Sequence, residues 1–317
     1  MFPMQTKEGV TDMRLGITYL YTIFRYGYPH TVEDALRSIS DIRKLGFRFL
    51  EMEGLGAPFL RALYKNRKQL AQTVEDCGVH VHNFCVVDPD LVSLNSTRQA
   101  RALDRFKMGA ELADMLQAET LHLASYAPPV RYLKSKPYQL GAQDGYRFAD
   151  GFQIRIPRRF DWDGVWTALV KSCQGCAEVA AQHRKTVMME PRVGEVICSV
   201  DSLLRLLEHV NRPNFKANFD TAHFSAQREN VVLALAKLRG RFAGIHLADN
   251  NPVNTDHLPI GDGTINWKEF FRVLKTMKYE GYLGLDLGMT PSLVRDYRKS
   301  VERVLAIASK LKLSVEV

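Results

Sequence analysis

Strand and helix signals alternate along the whole chain, and the count of that alternation restricts the fold more than any other feature. Short apolar runs of β type occur at Arg14–Leu20, Phe47–Glu53, Val79–Phe84, Thr120–Ala124, Thr186–Glu190, Lys216–Asp220, Phe242–Leu247 and Tyr282–Asp286. Between them, apolar residues recur at helical spacing over Thr31–Leu45, Pro58–Cys77, Ser96–Leu116, Trp162–His183, Val200–His209, Glu229–Leu238 and Trp267–Met277, with a last helix from about Pro291 to Leu311. Thr31 ahead of Glu33 and Asp34, Ser199 ahead of Asp201, and Pro58 and Pro291 near first turns mark helix starts. Eight strand–helix units are the complement of a closed parallel barrel, so the expected fold is one α/β domain over 1–317, a (β/α)8 TIM barrel. An open doubly wound sheet normally carries a glycine-rich turn after an early strand; here the first strand runs into Tyr21-Thr-Ile-Phe-Arg-Tyr. The one long irregular connection, Ser125 to about Phe160, follows the fourth strand and contains Pro128, Pro129, Pro137 and Pro157. Its position predicts a loop over the barrel mouth.

The net charge of +8 comes from dispersed Lys and Arg, with short clusters only at Arg155–Arg159 and Lys65–Lys68. That pattern reads as a solvated surface rather than a nucleic-acid footprint. No apolar run approaches the roughly 18 residues of a membrane span, and Met1–Met13 carries Lys7, Glu8 and Asp12, so neither a membrane anchor nor a secretory leader is expected. Five irregularly spaced cysteines fit a reducing cytoplasm. Cys173 and Cys176 form a C-x-x-C pair inside a helical pattern, with no second pair to complete a four-ligand zinc site.

Strand parity locates the chemistry. Side chains alternate between the barrel axis and the helix layer. Val187 and Met189 suit the helix side, so Glu190 faces in; Ala217 and Phe219 do the same for Asp220, Ile245 and Leu247 for His246, and Leu283, Leu285 and Leu287 for Asp286. Four consecutive strands thus each deliver one ligand-type side chain near their C-terminal ends, where TIM barrels carry catalysis. Three carboxylates and an imidazole in one mouth repel one another unless a cation neutralises them. Mn²⁺ is the expected ion, and Mg²⁺, Co²⁺ or Zn²⁺ also suit an oxygen-rich set with one nitrogen. Asp286 depends most on the register of its strand. Glu51 and Glu53, His80 and His82, and His122 share inward parity; each alone is more often a hydrogen-bonded core residue. Glu51, His82 and His122 are candidates to hold substrate hydroxyls, and His223, three residues past Asp220, to support a ligand or touch substrate.

Met189-Glu-Pro-Arg192, Asn218-Phe-Asp-Thr-Ala-His-Phe224, Ile245-His-Leu-Ala-Asp249 and His257-Leu-Pro-Ile-Gly-Asp-Gly-Thr-Ile-Asn-Trp267 resemble the xylose-isomerase-like barrel superfamily, which includes sugar isomerases and epimerases, keto-inositol dehydratases and type-IV apurinic endonucleases. The resemblance implies Glu190, Asp220, His246 and Asp286 as metal ligands, Glu190, His223 and His122 as catalytic candidates, and Glu51, His82, Arg192 and His257 as substrate contacts. Ketose 3-epimerases place Glu where Asp286 stands, and an arginine after the strand-seven histidine where Asn250-Asn-Pro-Val-Asn stands. Lys136-Pro-Tyr-Gln-Leu-Gly and Ile156-Pro-Arg-Arg-Phe-Asp-Trp162 look similar to large subunits of bacterial C-glycoside deglycosidases, which pair with a small second subunit. The implied activity is a divalent-metal-dependent sugar isomerase or epimerase that abstracts a proton beside a carbonyl through an ene-diolate. The alternative is a lyase, a C-glycoside deglycosidase or keto-inositol dehydratase using the same enolisation. A homo-oligomer is as compatible as a small partner. For an endonuclease reading, His257 fits, but Thr255 stands where those enzymes carry an Asp. Gly261-Asp-Gly263 reads as a turn before the Trp267 helix rather than a phosphate cradle, which favours an unphosphorylated sugar.

Overall fold

The computed structural model describes residues 13–134, 153–252, 255–288, 290 and 292–317. Eight parallel strands close on themselves: β1 Met13–Ile17, β2 Phe49–Glu53, β3 His80–Cys85, β4 Thr120–Ala124, β5 Thr186–Glu190, β6 Phe215–Asp220, β7 Phe242–Leu247 and β8 Tyr282–Leu285. Each pairs with the next, and β1 pairs with β8 in the register Arg14↔Tyr282 to Ile17↔Leu285, which seals the barrel. Gly16 sits on that seam, where a Cβ would lie 2.5 Å from the Phe49 carbonyl oxygen. A two-residue strand, Val315–Glu316, adds outside β1.

The alternation of apolar residues explains the closure. Val187, Met189, Ala217, Phe219, Ile245, Leu247, Leu283 and Leu285 are all fully buried between strands and helices. Helix starts follow local capping chemistry. Thr31 and Asp34 form a capping box at Val32–Lys44, Ser199 and Ser202 another at Val200–Val210, and Asn95 and Asp161 cap Ser96–Met115 and Trp162–Gln182.

Several expectations change in detail. The helical pattern over Pro58–Cys77 is two helices, Ala57–Lys65 and Arg67–Cys77, because Asn66 ends one and begins the next. Two short helices went unread, Leu20–Tyr26 and Thr221–Ala226. The connection after β4 contains an antiparallel ribbon, Arg131–Tyr132 with Ile154–Arg155; Lys136-Pro-Tyr-Gln-Leu-Gly within it, Val253, Asn254 and Pro291 lie outside the described residues. Cys173 and Cys176 are buried free thiols on one helix. Among the described residues, no helix is long and apolar enough to cross a membrane.

Candidate metal centre at the barrel mouth

Strands β5 to β8 bring their inward residues together. One ligand atom each from Glu190, Asp220 and His246 lie within 4.8 Å of one another, and Asp220, His257 and Asp286 form an overlapping set. His246 is the hub. Its Nδ1 lies 2.9 Å from Glu190 Oε1, 3.7 Å from Asp220 Oδ2 and 4.0 Å from Asp286 Oδ1. All four side chains are buried.

The chemistry of these contacts suits a cation better than hydrogen bonding. His246 Nδ1 and Asp220 Oδ2 are buried with no hydrogen-bond partner. The 2.9 Å approach of Nδ1 to Glu190 therefore lacks hydrogen-bond geometry, and lone pairs point at a common space. Asp220 has only one oxygen to offer, because Oδ1 caps the Thr221–Ala226 helix by accepting from His223 N at 2.9 Å. Buried orphan lone pairs on a carboxylate and an imidazole call for a ligand. The donor set fits a divalent ion.

Other groups hold the ligands in place. Glu51 Oε1 and Oε2 each lie 3.1 Å from His246 Nε2, so Glu51 orients the imidazole from the side away from Glu190. Glu190 Oε2 accepts from Arg192 Nε at 2.9 Å, and Oε1 accepts from Asn218 Nδ2 at 3.2 Å. Asp286 lies one residue past β8, and its N–H still donates to Leu247 O, so the ladder fixes it. Its Oδ1 accepts from Thr18 Oγ1, and its Oδ2 lies 2.9 Å from His257 Nδ1. His257 adopts a left-handed backbone with φ 48°, and its ring is 5.3 Å from the buried His223 ring.

Electrostatics follow from this crowding. Burial pushes Glu190 up, but its interactions with His122, Arg192 and His246 outweigh it and hold the carboxyl well below its usual range. Burial opposes charge on His246, yet Glu51 and Asp286 hold it well above the usual imidazole value. The same opposition at His257 ends at about 9, raised by Asp286 and Asp220. His122 goes the other way, pushed to about 4 by burial. Asn83 Nδ2 lies 3.3 Å from His122 Nδ1, and His122 Nε2 faces Glu190 Oε1 at 3.7 Å.

His82 is not at the mouth. Its Nδ1 lies 3.3 Å from Glu119, which precedes β4, and its ring stacks at 4.1 Å on Tyr282, the first residue of β8. It belongs to the barrel floor. The reason is a bulge: Leu50 pairs with Val81, but Glu51 pairs with Asn83, so the β3 register shifts at His82. From there Asn83 takes the inward place.

Thr18, Asn83 and Asn218 escaped sequence reading. They are short polar residues whose inward parity carries no charge signal. Asp249 is a further unread part: it accepts from Asn250 N, Gly261 N, Ile265 N and Trp267 Nε1 at 2.7–3.1 Å. It thereby builds the loop that delivers His257 and occupies the Gly261 amide.

Fold and site together define a closed α/β barrel with a metal-capable mouth. The chain belongs to the xylose isomerase-like TIM barrel family, whose model matches residues 39–307. It is 23% identical over 277 residues to L-ribulose-5-phosphate 3-epimerase UlaE of Salmonella paratyphi A, covering 85% of this chain and 84% of that protein. Its fold is similar to that of a D-tagatose 3-epimerase-like protein (TM-score 0.70, 18% identity, 94% of this chain and 100% of that one). The 3-keto-D-glucoside 4-epimerase YcjR from E. coli is equally similar in fold (TM-score 0.70, 17% identity, 93% and 100% covered).

Proposed function

We propose that the chain is a divalent-metal-dependent sugar isomerase or epimerase that moves a proton beside a carbonyl. The observation that supports it most is the convergence of Glu190, Asp220 and His246 with partnerless buried lone pairs, in a barrel whose sequence relative is named a 3-epimerase. Glu190, Asp220, His246 and Asp286 would hold the ion, Mn²⁺ being the expected one. When bound, it supplies Lewis-acid polarisation of a sugar carbonyl. Glu190 is the base for the α-proton: Arg192 keeps it ionised and fixes its orientation. His122, kept neutral by burial, presents Nε2 to a substrate oxygen. His223 and His257 line the opposite side.

One observation favours the lyase form of the same chemistry. Both Asp286 oxygens are engaged, by Thr18 and His257, which holds this short side chain back from returning a proton on the opposite face. Elimination needs only one base and an acid for the leaving group, and His257, raised to about 9 by Asp286 and Asp220, is the candidate acid.

The test is incubation with Mn²⁺ in D₂O with D-tagatose, L-ribulose 5-phosphate and a 3-keto-D-glucoside. Deuterium entering beside the carbonyl is expected with at least one; exchange with none of them sinks the enolisation reading. Product analysis then separates epimer from eliminated aglycone.

A further inference from the structure

One corner of the mouth remains unexplained by the metal centre. Glu53 ends β2 on the same face as Glu51, one step nearer the C-terminal end. Its side chain is 3% exposed, and neither carboxyl oxygen has a hydrogen-bond partner. His30, in the connection after β1, is 1% exposed and lies 3.2 Å from Glu53 Oε1, outside hydrogen-bonding orientation. Its Nδ1 is likewise buried and partnerless. Three orphaned polar atoms on two touching side chains are costly for a core. Packing alone would be better served by Gln or Leu. The metal ligands do not use them, since Glu51 already occupies His246 Nε2.

The surroundings specify what would satisfy these atoms. The His30 ring meets the Phe59 edge at 4.6 Å and Tyr28 at 6.2 Å. The cation whose charge reaches Glu53, Arg192, is committed to Glu190 and to Tyr19 Oη. A carboxyl, an imidazole and aromatic edges suit hydroxyl groups on a carbon chain. They do not suit a phosphate, which wants arginines or a row of free amides.

We propose that the Glu53–His30 corner is a substrate subsite that binds the hydroxyls of an uncharged, unphosphorylated part of the sugar. It rests on the reading of the mouth as a sugar site, and it divides the substrate: the carbonyl end at Glu190 and His246, the polyol end at Glu53 and His30. Glu53 is a binding residue here and carries no proton-transfer step.

Hexitols test this without turnover. Galactitol and L-fucitol differ by one hydroxyl, and neither has a carbonyl to react. Calorimetric titration of the Mn²⁺-loaded full chain is expected to show galactitol binding about tenfold tighter than L-fucitol, and tighter than galactitol 1-phosphate. Glu53→Leu is expected to lose about tenfold in galactitol affinity and bring the two polyols within about twofold. Glu53→Gln, which keeps both hydrogen-bonding functions, is expected to restore part of the gap. Glu53→Leu is expected to melt no lower than the wild type, because the orphaned carboxyl is gone, and Glu53→Gln about as the wild type does. Unchanged polyol binding in Glu53→Leu, tighter binding of the phosphate, or no hexitol binding by the wild type overturns the subsite. Hexitol binding that depends on Glu53, with no deuterium exchange on any keto-sugar, leaves the subsite standing and removes the enolisation reading instead.

Discussion

At the floor of the barrel, a single carboxylate, Glu119, meets Arg14, His80 and His82. At the mouth, Glu51, Glu190, Asp220 and Asp286 crowd around His246, with Arg192 bound to Glu190 and His257 to Asp286. The same residue types line both ends, yet the balance is opposite. On the floor, one guanidinium and two imidazoles converge on a single acid, and the cluster closes on itself. At the mouth the acids outnumber their cationic partners, and their crowding raises His246 and His257 above the ordinary imidazole value. On the proposed reading, the floor residues stabilise the barrel and the mouth residues give up stability to bind an ion.

The sharpest way to break this contrast is Asp220→Asn. It keeps the cap on the Thr221–Ala226 helix, because an amide oxygen still accepts from His223 N, but removes one of the proposed anionic ligands. Deuterium exchange on keto-sugars is expected to fall by about 10³-fold or more, and the Mn²⁺-induced rise in melting temperature to vanish. Exchange within tenfold of wild type would mean that the convergence at the mouth is not a metal centre.

A smaller effect is expected from Glu51→Gln. Glu51 touches His246 only on the far ring nitrogen, so the ligand set stays intact while its orientation slackens. Mn²⁺ affinity, read by titration calorimetry, is expected to drop about 10- to 100-fold, with the fold and melting temperature of the metal-free protein little changed. An unaltered affinity would move Glu51 from the mouth's machinery to its packing.

How much of this was readable in the chain follows from the strands. On β5 to β8 the one register shift, between Ala217 and Asn218 against β7, lies upstream of His246 and leaves the mouth residues in phase, and Leu283, Leu285 and Leu287 alone place Asp286 on the inner face even though it lies beyond the strand end. On β3 the same rule fails. Parity puts His82 in line with the mouth, but the bulge against β2 leaves it on the floor and turns Asn83 inward. A bulge between two polar residues leaves no apolar mark in the sequence. The path of the loop that carries His257 was equally hidden, because it depends on three donors twelve to eighteen residues away, with the adjacent Asn250 amide, meeting Asp249. The break at Asn66 was masked by apolar spacing that runs straight through it.

The floor gives the smallest expected effect and the cleanest control. Burial raises the Glu119 carboxyl, but the hydrogen bonds from His80 and Arg14 and the nearby His82 ring outweigh it and hold it well below the usual range. A depressed carboxyl adds stability that is fully present above an unfolded value of about 4.5 and is lost as pH falls below it. His82 acts in the same direction: burial keeps its ring below the ordinary histidine value, so acidification under about 6.5 also favours the unfolded chain. Glu119 is partly exposed and the pairs are screened by solvent, so Glu119→Gln is expected to lose only about 1 kcal/mol at pH 7, read from urea midpoints. Its stability should then depend less steeply on pH between 5 and 4 than that of the wild type. Exchange on keto-sugars should stay within about twofold, since nothing at the floor touches the mouth's ligands. A large loss of exchange with intact folding would show that the two ends of the barrel are coupled and that the contrast between them is false.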